Sequence, residues 1–95
     1  MGRSYLQDPF MREVAAAFAA TQARIARRFA EVPVEESAAV VDDELRGLYH
    51  GLFVIFDGGT ALADKGLVQI RSDDGTAFDR FLHEICFSYW PKADA

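Results

Sequence analysis

The sequence predicts a mainly helical α+β domain: two long antiparallel helices, a short strand or hairpin, and a C-terminal helix. Three observations predict it. Apolar residues recur every three to four positions on both sides of Pro33, which is the period of amphipathic helices. The segment "LVQIRS", Leu67 to Ser72, alternates and carries β-branched residues, and "SDDG" follows as a turn. A third helical stripe then runs to Tyr89. Residues 1–95 read as one small globular domain.

The first helix is expected to start at Asp8-Pro9, with Asp8 capping free amides and Pro9 in the first turn. Met11, Val14, Phe18, Ile25, Phe29 and Val32 form its apolar stripe, nearly in heptads. The Ala-rich "VAAAFAA" favours helix and permits close packing. Pro33 ends it.

The second helix follows from Val34, Ala38, Val41, Leu45, Leu48, Leu52 and Phe56. This period runs through "LFVIF", which in isolation reads equally as a strand. Gly58 is expected as the left-handed residue after the last turn. Thr60 then opens a short helical turn through Asp64, closed by Gly66. The third helix is expected to be capped by Thr76, with Asp79 three residues on. Phe78, Phe81, Leu82, Ile85 and Tyr89 form its stripe, and Trp90-Pro91 ends it. Tyr49, Phe53, Phe56, Phe78, Phe81 and Tyr89 are the expected aromatic core.

The stretch "VIFDGGTAL", Val54 to Leu62, resembles the first motif of haloacid-dehalogenase-like phosphatases. In that motif an apolar strand delivers a nucleophilic Asp, with a second acid two residues later and then Gly-Thr. The resemblance implies Asp57 as nucleophile. Here Gly58 and Gly59 follow directly, so the acid that protonates the leaving group is missing. The upstream period also makes the stretch a helix stop, with the glycines as backbone punctuation.

Net charge is −5 and uneven: residues 1–28 carry +3, residues 29–57 carry −6 and residues 58–95 carry −2. An acidic chain lacks the basic surface that a general nucleic-acid binder needs. Arg24, Arg27 and Arg28 close helix 1, while Glu35 and Glu36 open helix 2. Both placements suit the helix dipoles, and an antiparallel hairpin sets them face to face. A single Cys, Cys86, excludes an internal disulfide and fits a reducing, cytoplasmic compartment. No apolar run approaches the ~20 residues of a membrane span. Position 6 holds Leu6 rather than the Ser/Thr of a myristoylation pattern.

Candidate sites are few. Gly47 and Gly51 lie four apart and suggest either a closely approaching helix or a shallow groove. His50 follows Asp43 and Arg46, and precedes Asp57 by seven residues. His83 and Cys86 are three apart, but no CxxC or HExxH pattern accompanies them, so no metal or cofactor is expected. No residue is assigned as catalytic. Two readings follow. The first is a non-enzymatic protein-interaction module, immunity- or antitoxin-like, in which Asp42, Asp43, Glu44 and His50 meet a basic partner. The second is a small enzyme or ligand-binding domain around His50, Asp57 and His83. The number of large apolar residues further predicts a homodimer.

Overall fold

A computed structural model describes residues 4–91. Three α-helices are present among the described residues: α1, Gln7–Phe29; α2, Ser37–Phe56; and α3, Leu82–Ile85. Single 3-10 turns cover Val34–Glu36, Ala61–Asp64 and Cys86–Tyr89. The expected α+β class is corrected to mainly helical, since no strand forms among the described residues. Leu67 to Ile70 takes no regular structure, and Arg71 makes one isolated antiparallel bridge, to Ala77. A lone pair of segments with no third partner is marginal in water, so the alternation in "LVQIRS" is too short to build a sheet.

α1 and α2 form an antiparallel hairpin. At one end Leu6 and Phe10 pack with Ile55 and Phe56, and the Phe10 and Phe56 rings stack at 5.7 Å. At the other end Arg24 and Arg28 reach Asp43 and Glu44. The expected facing of the arginines with Glu35 and Glu36 does not occur. Those two acids lie in the 3-10 turn, and α2 first runs alongside α1 beyond them.

The start of α1 differs from expectation. Asp8 accepts from Arg12 at 2.7 Å instead of capping an amide. Ser4 accepts the Leu6 amide at 3.1 Å. Pro9 falls among the first-turn residues whose amides lack intrahelical partners, so it costs no hydrogen bond.

The end of α2 follows the expected chemistry. Gly58 has φ +82. Its amide donates to Ile55 O at 3.2 Å, and the Gly59 amide to Val54 O at 2.9 Å. This is a Schellman stop, which needs a left-handed residue at Gly58. Gly59 is needed for a different reason: a Cβ there would sit 2.7 Å from Val54 Cγ1. Thr60 then caps the turn Ala61–Asp64, accepting from the Leu62 amide.

The C-terminal third departs most from expectation. Thr76 opens no helix. Its amide donates to Asp74 Oδ1 at 2.9 Å, its carbonyl accepts from Ser72, and Phe78 N donates to Ile70 O. These bonds commit the backbone to a tight turn. Gly75 closes that turn at φ +89. Helix begins only at Leu82. Phe78, Phe81 and Tyr89, expected in the core, are exposed. Tyr49, Phe53 and Phe56 do pack, in a chain of edge-on rings.

The core is small. Its main cluster is Leu6, Ile55 and Leu62, with Phe10, Val14, Ala17, Leu52 and Val68 packed around it. The accessible surface is 7147 Å², against about 5,500 Å² for a compact chain of this mass. The radius of gyration is 16.2 Å, against about 12 Å for a compact domain of this length.

Candidate functional site

The residues that sequence reading singled out separate into two places. Glu44 faces α1 and its side chain is only 10% exposed. It accepts from Arg24 Nε at 2.9 Å and from Arg28 Nη1 at 3.0 Å, while Asp43 accepts from Arg28 at 2.7 Å. Bonds from Arg24 and then Arg28 hold the Glu44 carboxyl below its ordinary range. Thr21 lies buried beside this group and accepts from Arg24 at 3.2 Å. Asp42 is exposed. The three acids therefore point three ways: one into the hairpin, one onto Arg28, one to solvent. His50 lies on the same side of α2 as Asp43, two turns further on, and packs against the C-terminal segment.

His50, Asp57 and His83 do come together. The Schellman stop places Asp57 at the end of α2, turned towards the start of α3. Its Oδ2 accepts from the His83 amide at 2.8 Å and from His83 Nδ1 at 2.6 Å. Burial pushes the Asp57 carboxyl up, but the His83 and Leu82 amides and the His83 ring outweigh it and hold the group below the usual range. A carboxylate here makes Nδ1 the donor, which leaves Nε2 as the free ring nitrogen. The His50 ring lies 5.7 Å from His83 and stacks on Phe87 at 5.6 Å.

A row on α2 that sequence reading missed seats the rest of the segment. Arg46, Tyr49, His50 and Phe53 fall at i, i+3, i+4 and i+7, one helix face. Arg46 lies over the rings of Phe87 and Trp90 at 5.1 and 5.7 Å. Tyr49 meets Trp90 edge-on at 4.8 Å, and its hydroxyl donates to Cys86 O at 2.9 Å. The spacing was legible, but Tyr49 and Phe53 were expected in the core and Arg46 was noted only as a neighbour of His50, so the four were not joined into one row.

This geometry can orient one imidazole and hold the C-terminal segment on α2. Asp57 caps α3 from outside the helix, satisfying amides that α3 cannot satisfy itself. Cys86 is buried, with Sγ 3.5 Å from the His83 carbonyl, so its thiol faces no open site. Among the described residues no three His, Cys, Asp or Glu side chains are placed to hold a metal ion. The adjoining cleft, lined by Phe56, Asp57, Val68, Ile70, Phe78 and Leu82, holds about 290 Å³, at the lower end for small-molecule sites. A Cβ at Gly47 or Gly51 would meet nothing within 4 Å, so no helix among the described residues approaches there. No described helix is long and apolar enough to cross a membrane. Comparison with known proteins finds no family model, no curated protein and no solved structure that matches the chain.

Proposed function

We propose that the protein is a non-enzymatic protein–protein interaction module of the cytoplasm. The observation that supports it is the exposure of large apolar side chains, among them Met11, Phe18, Phe78 and Phe81, each about half exposed. Exposed patches of large apolar side chains mark interaction sites. The acidic residues contribute less than the sequence suggested, because Asp43 and Glu44 already pair with arginines of α1. A single buried, unpaired cysteine suits a reducing compartment.

Site-specific photo-cross-linking in cells tests the proposal. A benzophenone side chain replaces Phe18 or Phe81, with exposed Asp64 as control position. Discrete protein adducts at the two aromatic positions, and only background at the control, are expected. Equal labelling at all three positions would remove the basis for an interaction surface.

A second reading, a small ligand-binding or proton-transfer site at His50, Asp57 and His83, is favoured by the 2.6 Å contact between His83 and Asp57. Native mass spectrometry separates the two. A stoichiometric small-molecule adduct that disappears in His83→Gln would support the second reading.

A further inference from the structure

The chain has two histidines, His50 and His83, and the fold treats them differently. His83 Nδ1 lies 2.6 Å from Asp57 Oδ2, and the same oxygen accepts the His83 amide at 2.8 Å. Two bonds to one oxygen fix both the backbone and the ring of this residue. His50 has no carboxylate partner among the described residues. Its ring stacks on Phe87 at 5.6 Å and stands edge-on to His83 at 5.7 Å. Within the pair, the Asp57 side chain is 8% exposed and the His83 side chain 33%. The acid is sealed behind the ring, and water reaches the ring.

The cap of α3 does not require an imidazole. The amides of Leu82 and His83 reach Asp57 whatever side chain stands at position 83. The ring contact has a separate consequence. A carboxylate on Nδ1 keeps the proton there, so Nε2 retains its lone pair and points away from the acid. The same carboxylate balances the positive charge that the ring gains when Nε2 forms a bond. Despite its burial, Asp57 is held below the ordinary carboxylate range by the two amides and the ring, so it is ionised at neutral pH. Arg46 lies over the Phe87 ring that carries His50 and enters no ion pair among the described residues. Its charge is therefore available to an anion.

We propose that His83 Nε2 is a phosphoryl-acceptor site, loaded by a donor of the phosphoramidate class. The Nε2 lone pair forms the new bond to phosphorus, and the P–N bond of the donor breaks. The donor reacts in its N-protonated form, so the electron pair of the broken bond leaves with a neutral amine. Nδ1 keeps its proton, and the product imidazolium stays paired with Asp57. Nothing is oxidised or reduced. Phosphoryl transfer suits the site because it asks mainly for a positioned nucleophile and compensated charge, and Asp57 supplies both. The inference goes beyond the interaction-module reading and stands without it. It also differs from a reversible ligand site at the same residues, because the adduct is covalent.

Incubation of the untagged chain with potassium phosphoramidate at neutral pH tests the proposal. Intact-mass spectrometry should show one added phosphoryl group per chain, lost on acid treatment. The adduct should be absent in His83→Gln and retained in His50→Gln. Phosphorus–proton correlation spectroscopy should place it on Nε2. Asp57→Asn can still accept the α3 amides, but it neither holds the Nδ1 proton nor balances the ring charge. That variant should react at least about tenfold more slowly and at both ring nitrogens. The fluorescence of Trp90 reports whether the segment stays docked in Asp57→Asn; if it does not, the nitrogen modified in the wild-type chain decides. Equal modification of His50 and His83, reaction at Nδ1, or no adduct at all would overturn the proposal. Phosphoramidate held without covalent transfer would overturn it as well, and would favour the reversible ligand site.

Discussion

The helical hairpin and the C-terminal segment are built by different physics. The hairpin buries Val40, Leu48 and Ile55 along a continuous seam and repeats its contacts every turn. From Leu67 onward Cys86 is the single buried residue among those described, and residues 71–81 are all exposed. What places this segment is a handful of specific contacts: Asp57 to His83, Tyr49 to Cys86, and the rings around Trp90. A periodic seam distributes stability over many side chains. A docked segment concentrates it in few, so single changes there release it without unfolding the rest.

Single substitutions test this contrast, with far-ultraviolet dichroism reporting the hairpin and the fluorescence of Trp90 reporting the docked segment. Ile55→Ala has the largest expected effect. It empties the centre of the main cluster, should cost about 3 kcal/mol, and should make both signals melt together. Separate transitions would show that the segment has a core of its own.

The Schellman stop comes next, because it links the two regions. Gly59→Ala pushes a methyl into Val54 and should cost about 2 kcal/mol. Gly58→Ala places a side chain in the left-handed region and should cost about 1 kcal/mol. Denaturant midpoints measure both. The reverse order would mean that Val54 yields more easily than the backbone.

Asp57→Ala removes the cap of α3 and should cost about 1 kcal/mol, felt locally. Amides of residues 82–90 should lose hydrogen-exchange protection while those of α1 keep theirs. Loss of protection throughout α2 would tie the segment to the hairpin more tightly than the contacts indicate.

Acid should act on the same cap. The folded Asp57 carboxyl titrates below its unfolded value, so its stabilisation is complete above the unfolded pKa of about 3.9 and is lost as pH falls through the folded value. The fluorescence of Trp90 should therefore change below about pH 4, and in Asp57→Asn that step should disappear. The smallest effect is expected from Arg12→Ala. Its pair with Asp8 is a solvent-exposed i, i+4 contact, and the denaturant midpoint should stay within measurement error.

Period determined most of the hairpin. Spacing in Val34 to Phe56 outranked the strand-like look of "LFVIF", because a helix must keep its apolar phase over several turns. Gly58 and Thr60 were legible because their roles are local: a left-handed stop and a cap require particular residue types whatever surrounds them. On α1 the reading was half right. Val14 packs on the core, while Met11, Phe18 and Phe29 of the same expected stripe stay exposed, since spacing alone does not say which edge of a broad apolar face is covered.

Tertiary structure decided the rest. Thr76 and Asp79 have the pattern of a capping box, but the Thr76 amide donates to Asp74 within the turn and the Phe78 amide to Ile70 on the far side of it, so helix waits until Leu82. There the cap is Asp57, distant in sequence and invisible to any local rule. Glu44 became a buried ion-pair partner because it falls on the α2 face towards Arg24 and Arg28, not because its neighbours are acidic. The union of His50, Asp57 and His83 arose in the same way: spacing proposed the residues, and only the return of the chain across α2 set two of them within hydrogen-bond reach. Sequence fixes what a residue does to its own turn of backbone; which distant group meets it depends on how the faces pack.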